Sequence, residues 1–184
     1  GSTTAQVHGI LGVDFLSRYA VWYSPTERVL RFYPKELVAN RAYAGWGSIE
    51  LSHMRIGNGN VSVYAFDMFV KNERIPTIFD LGATVNLMNH HAARRLEIPL
   101  RSLRTAPEVH GITGPTPILA ELQVWRLEIG HLYWRNQTFF IGEFPIFDVL
   151  DVGADPVAIA GTSFFEGRDF IIDFTRKRLL VRMR

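Results

Sequence analysis

The chain repeats a piece of itself, and that repeat constrains its folding more than any other feature. Residues 10–32 run as an apolar pair, a glycine, a short helix, a strand, a tight turn and a closing strand, and residues 159–182 run the same way. Gly12 matches Gly161 and Phe15 matches Phe164, both 149 positions apart. Past a one-residue insertion at Gly167, Arg18 matches Arg168, Arg28 matches Arg178 and Leu30 matches Leu180, 150 apart. A unit of that length does not fit twice into 184 residues. The spacing therefore predicts one complete unit over 40–184, preceded over 1–38 by the closing segment of another.

Between the two copies the pattern is that of short strands. Residues 61–70 and 75–79 read as a hairpin around Lys71-Asn72-Glu73-Arg74, a four-residue loop that fixes register only loosely. Residues 118–129 and 132–141 flank Gly130-His131, and residues 170–174 and 178–183 flank a turn at Thr175–Lys177. Helical signal is local. Asn89 is placed to cap a short helix ending at Leu96, and a second begins at Thr162 or Ser163 and carries Phe164 and Phe165. Asp148–Asp155 reads as a solvated loop before a strand at Ile159. The fold class is mainly β, with one or two short helices.

Composition removes several function classes. With 47% apolar and 21% charged residues the chain is neither disordered nor collagen-like. No apolar run approaches the roughly 20 residues of a membrane helix, so no membrane span is expected. No basic segment followed by an apolar one opens the sequence, so no signal peptide is expected in it. Cysteine is absent, which removes disulfides, thiolate metal sites and cysteine nucleophiles. It leaves the compartment open, since the bacterial periplasm, the exterior and a reducing interior all suit a cysteine-free chain. The net charge is +2, and the basic residues are dispersed except for Arg176, Lys177, Arg178, Arg182 and Arg184. That pattern does not predict nucleic-acid binding, which calls for a concentrated basic stripe with interleaved aromatics.

Chemistry concentrates in residues 78–88, Ile-Phe-Asp-Leu-Gly-Ala-Thr-Val-Asn-Leu-Met. Asp80 ends an apolar strand, Gly82 permits close backbone approach, Ala83 keeps the turn uncrowded and Thr84 offers a hydroxyl. The residue types alone fit an ordinary strand-ending turn as well. Other constellations carry less. His90 and His91 are adjacent and point to different helix faces, which suits no metal, and no metal or cofactor is predicted. No G-x-S-x-G elbow is present, and Gly57-Asn58-Gly59-Asn60 lacks the lysine and helix of a phosphate loop. Trp22, Trp46, Trp125 and Trp134 are expected in the core or at its rim.

Asp80-Leu81-Gly82-Ala83-Thr84 resembles the D-[ST]-G-A-[ST] active-site loop of the retropepsin-like aspartic peptidases. The likeness continues in the Ala-Ala helix ending at Leu96, in His110-Gly111-Ile112-Thr113-Gly114 and in Ile159-Ala160-Gly161 with Phe164-Phe165 behind it. It ends with Ile172-Asp173-Phe174 and Arg178-Leu179-Leu180, so it spans about residues 60–184, with Gly9–Phe32 matching the closing piece of a preceding unit. Bacterial proteins with two such units in tandem are known, and this chain is similar to the second half of one.

The resemblance implies a retropepsin-like β-barrel, with Asp80 as the catalytic carboxylate and Leu81, Gly82, Ala83 and Thr84 as its loop. It implies a substrate-binding flap at Gly111, Ile112, Thr113 and Gly114. The implied reaction is hydrolysis of a protein or peptide by a water activated between two carboxylates that share a proton. Only one such loop is present, so the second Asp is expected from a homodimer or from a preceding homologous unit. Leu81 stands where the family has Ser or Thr, whose hydroxyl locks the paired loops together, and Leu cannot make that bond. An inactive binding or scaffold module is the alternative reading.

Overall fold

A computed structural model describes residues 11–39, 43, 45–56, 61–100, 109–111 and 114–183. The hairpin expected at 61–79 forms, as β5 (Val61–Val70) and β6 (Glu73–Phe79), but with a tighter turn than the sequence suggests. Val70 pairs with Glu73, and only Lys71 and Asn72 lie between, at φ 50° and 67°. Two left-handed residues match the twist of the flanking strands, so the register is firmly set. β10 (Ala120–Ile129) and β11 (Leu132–Ile141) also join through two residues, Gly130 at φ 57° and His131. Midway along β11, Asn136 takes φ 54°, and the buried side changes from Leu132 and Trp134 to Phe139 and Ile141. The facing Trp125 is 78% exposed, so the expectation of a packed residue fails there, while Trp134 lies in the core as expected.

Two short strands complete a closed ring. β7 (Asn86–Met88) runs parallel to β11, and β12 (Ala158–Ala160) inserts between β7 and β6, antiparallel to one and parallel to the other. Glu128 of β10 pairs with Phe69 of β5, so six strands close in the order β5-β6-β12-β7-β11-β10. β4 (Ser52–Ile56) hangs on the outer side of β5. Closure removes the free edges that an open sheet of this kind would present. α3 (His90–Arg95) begins where expected, with the Asn89 side chain accepting the Ala92 amide at 2.9 Å. Residues 148–155 are only partly the loop expected of them. α4 (Pro145–Val149) overlaps their start, with Pro145 in its first turn, and Phe147 and Leu150 sink into a second apolar cluster while Asp148 and Asp151 stay exposed.

A second sheet backs the barrel. Its order is β2 (Val29–Tyr33), β1 (Ala20–Ser24), β13 (Phe170–Asp173), β14 (Arg178–Arg182) and β3 (Trp46–Glu50). One face joins the main core, where Phe170, Ile172, Leu179, Val181 and Ile49 meet Trp134, Phe139, Phe164 and Phe165. The other face carries Ala20, Ile171 and Leu180 under Val38 of α2 (Lys35–Ala39), with Trp22 and Trp46 edge to face. The basic cluster near the C-terminus meets buried carboxylates: Arg176 and Arg178 reach Asp173, and Arg182 reaches Asp169.

The sequence repeat is a structural repeat, but without the insertion at Gly167. Phe15 donates to the Gly12 carbonyl as Phe164 donates to Gly161, and Tyr19 donates to Leu16 as Arg168 donates to Phe165. The Ser24 hydroxyl accepts the Glu27 amide as the Asp173 carboxylate accepts that of Arg176. Both turns end in a left-handed residue, Arg28 at φ 56° and Lys177 at φ 50°. A single spacing of 149 therefore holds from Gly12 through β2, and the arginine matches that suggested 150 are coincidences of side-chain type. β1 and β13 pair antiparallel, and the opposed residues Trp22 and Ile171 are themselves 149 apart. A local two-fold axis thus passes through that pair, normal to the sheet.

The two copies differ in what covers them. A Cβ on Gly161 would meet the Ala83 carbonyl at 2.7 Å and the Val85 carbonyl closer still, whereas one on Gly12 would meet, among the described residues, only the side chain of Asp14. Gly161→Ala is expected to cost about 3 kcal/mol in urea unfolding, because two backbone carbonyls must move, and Gly12→Ala below about 1 kcal/mol. Asn89 is buried and also accepts the Val157 amide and donates to the Asp155 carbonyl at 2.6 Å. Asn89→Ala is expected to lower stability by about 2–4 kcal/mol in the same measurement, since it removes a helix cap and strands buried backbone groups.

Candidate active site

Asp80 stands at the end of β6, half-buried, where the chain leaves the barrel. Its amide donates to the Ala160 carbonyl at 3.1 Å, which continues the β6–β12 ladder by one residue. The loop then doubles back. Gly82 donates its amide to Asp80 Oδ1 at 2.8 Å and Ala83 donates to the Asp80 carbonyl at 3.3 Å. Among the described residues nothing donates to the second carboxylate oxygen. One oxygen is thus held by the turn and the other is available to water or substrate.

The loop is clamped from beyond β12. Thr162 donates its amide to the Ala83 carbonyl at 2.9 Å, and Ser163 donates to Thr84 at 3.2 Å. Neither bond could form if Gly161 carried a side chain, because the loop carbonyls lie where its Cβ would be. Asn86 ties the same elements from inside the protein. It is 2% exposed, its side-chain oxygen accepts the Gly161 amide at 3.1 Å, and its amide group donates to the Thr138 carbonyl at 3.0 Å. Sequence reasoning missed this residue. Its signal was a single amide inside the apolar run Val85-Asn86-Leu87-Met88, where a buried polar side chain must find partners.

The other expected site residues divide. Gly82 and Thr84 are exposed on the loop, and Ala83 packs on the second apolar cluster. Leu81, which lacks the family hydroxyl, packs against the main core. The expected flap region contains a hairpin, β8 (Val109–Gly111) and β9 (Gly114–Thr116), with Gly111 paired to Gly114. Its tip residues, Ile112 and Thr113, lie outside the described residues. A polar cavity of about 480 Å³, lined by Asn86, Asn136, Gln137, Thr138, Ser163, Glu166 and Gly167, opens beside the clamp, and Asp80 is not among its lining residues.

Comparison with a solved structure supports the architecture. A solved structure of a retropepsin-like aspartic protease from Rickettsia conorii is 20% identical and covers 75% of this chain and 95% of its own, with a TM-score of 0.50. The retroviral protease-like domain of Ddi1 from Leishmania major is 16% identical, covering 58% of this chain and 75% of its own at a TM-score of 0.41. No curated protein matches. The likeness to the Rickettsia conorii structure speaks for the fold alone, which is retropepsin-like as expected. The family model described as "Aspartyl protease" matches residues 61–164, more than half of the sequence and a stretch that includes the Asp80 loop. The chain belongs to the aspartyl protease family.

Proposed function

We propose that this chain supplies one half of an aspartic endopeptidase, with Asp80 as its catalytic carboxylate. The observation that carries the reading is the clamped loop. The Asp80 carboxylate is held by a turn whose backbone is bonded to residues 160–163, with one oxygen left open. Such a group is preorganised to face a second carboxylate. The pair would share one proton, because two like charges a few ångströms apart cannot both ionise. One carboxylate takes a proton from water while the other donates to the scissile carbonyl, so no covalent intermediate is needed. The hairpin of β8 and β9 acts as the flap, pairing by its backbone with an extended peptide.

One feature favours the alternative of a binding or scaffold module. Leu81 packs its side chain against the core and offers no hydroxyl to a partner loop. Leu81→Thr discriminates the two readings, since it keeps or raises hydrolysis in a peptidase and creates none in a scaffold.

The test needs both carboxylates, and the repeat indicates how to supply them. Residues 43–160 joined directly ahead of Gly12 give a tandem chain in which each Asp80 loop has its own closing hairpin. The tandem is expected to cleave internal bonds of a randomised peptide library, read by mass spectrometry, with activity falling as pH rises and the shared proton is lost. Asp80→Asn in both halves is expected to reduce cleavage about 1000-fold or more without changing the melting curve. Undiminished cleavage by that variant would sink the peptidase reading.

A further inference from the structure

The β10–β11 hairpin breaks its alternation at one place, and a bare tryptophan, a left-handed asparagine and a polar cavity meet there. Val124 and Leu127 are both buried, with Trp125 and Arg126 both exposed between them. Val124 pairs with Gln137 and Arg126 with Arg135, so Trp125 lies across the ladder from Asn136. Asn136 holds φ at 54°, a conformation that asparagine tolerates better than most residues but that a plain strand does not require. Trp22 and Trp134 each carry an arginine over the ring at 5.0 Å, and Trp46 packs edge to face on Trp22. Trp125 is 78% exposed, and among the described residues neither a ring nor a cation lies against it. Its neighbour Arg126 turns instead to the Tyr133 ring, at 4.2 Å, and to Glu128.

Asn136 also belongs to the wall of the cavity beside the clamp. The volume of about 480 Å³ falls within the range of about 300–1,000 Å³ usual for small-ligand sites. Its wall consists of amides, hydroxyls and one carboxylate, from Asn86, Asn136, Gln137, Thr138, Ser163 and Glu166. Most of that hydrogen-bonding capacity is unspent. Among the described residues the side chains of Asn136, Thr138 and Glu166 bond to no protein group, and Gln137 makes only long contacts of 3.4 and 3.5 Å. Asn86, buried at the back, gives its amide group to the Thr138 carbonyl.

The chemistry of the wall selects the ligand. No lysine or arginine lines the cavity, so an anion would meet the Glu166 charge unopposed. A lipid would bury little apolar surface against such groups. An extended peptide would pair with the edge of β11, but the Thr138 carbonyl on that edge already accepts Asn86 at 3.0 Å. Hydroxyl groups both donate and accept, and planar amides and a carboxylate bond neighbouring pairs of them. A sugar ring also has a face of C–H groups, for which an exposed indole is a stacking surface. Cα atoms across an antiparallel ladder are about 5 Å apart, so Trp125 stands close to the Asn136 rim.

We propose that the cavity and Trp125 form one binding site for an uncharged saccharide of at least two linked rings. One ring stacks on Trp125, and the next enters the cavity and bonds Asn136, Gln137 and Glu166. The site shares Asn86 and Ser163 with the clamp on the Asp80 loop, yet the proposal is independent of the peptidase reading.

The test uses the 184-residue chain on a printed array of charged and uncharged glycans. The best uncharged disaccharide is then titrated by calorimetry and by NMR. Uncharged glycans are expected to be retained, with a Kd of about 1 mM or below for the disaccharide. The side-chain amide signals of Asn136 and Gln137 are expected to shift during the titration. Trp125→Ala and Glu166→Ala are each expected to weaken binding about tenfold or more with the melting curve unchanged, since both side chains are exposed. An array that retains nothing, or only sialylated or sulfated glycans, overturns the proposal. So does a titration that leaves both side-chain amides unmoved, or an affinity unchanged in either variant. Where a variant fails to fold, the amide signals decide. No arm reads hydrolysis, so the result stands whether or not the tandem cleaves peptides.

Discussion

The contact on which the site depends is the approach of two loop carbonyls, from Ala83 and Val85, to the bare α-carbon of Gly161. Because nothing projects from Gly161, the backbone after β12 comes close enough for Thr162 and Ser163 to donate to the loop. Because β12 is buried between β6 and β7, Gly161 is itself held in place. Asn86 closes the arrangement from inside, since one side chain bonds Gly161 and Thr138 together. The Asp80 carboxylate is consequently positioned by main-chain bonds at the end of a closed barrel rather than by a mobile surface turn. Rigidity of that kind suits chemistry in which two carboxylates must be held at a fixed short separation.

The back sheet gives the barrel its neighbours. Residues 11–33 and 160–182 adopt one conformation twice, down to the capping of their turns, and meet across an axis through Trp22 and Ile171. Only one copy has a barrel over it. A conformation that persists without the body that would cover it is carried by local signals: the glycine, the short turn of helix, the Ser or Asp that accepts an amide in the turn, and the left-handed residue that ends it. The apolar character of the uncovered copy has no such local reason. Leu30 and Phe32 contribute little to a sheet edge facing water, and burial is what would make them stabilising.

Several elements were legible in the sequence because their causes are local. The cap at Asn89, the turn at Gly130 and the strands on either side of it follow from side-chain chemistry within a few residues. The tight turn at Lys71-Asn72 was misread as four residues, since neither residue advertises a positive φ as glycine does. α4 was missed because Asp148, Asp151 and Asp155 set the reading of that stretch, while Phe144 ahead of the helix and Phe147 within it do the packing. The displaced repeat spacing had a similar origin, for arginines at chance positions outweighed a turn whose equivalence lies in backbone conformation.

By itself the sequence determined the β class, the closing motif in two copies and the loop that carries Asp80, because glycine placement, apolar alternation and a short motif act over a few residues. Tertiary structure alone decided which strands close the ring, that β12 runs parallel to β6, that Asn86 joins Gly161 to the neighbouring strand β11, and that β1 occupies the edge of β13. These relations link residues from about 50 to 150 positions apart. Strand order and edge occupancy depend on which pairings bury the most apolar surface together, and no residue states that by its type.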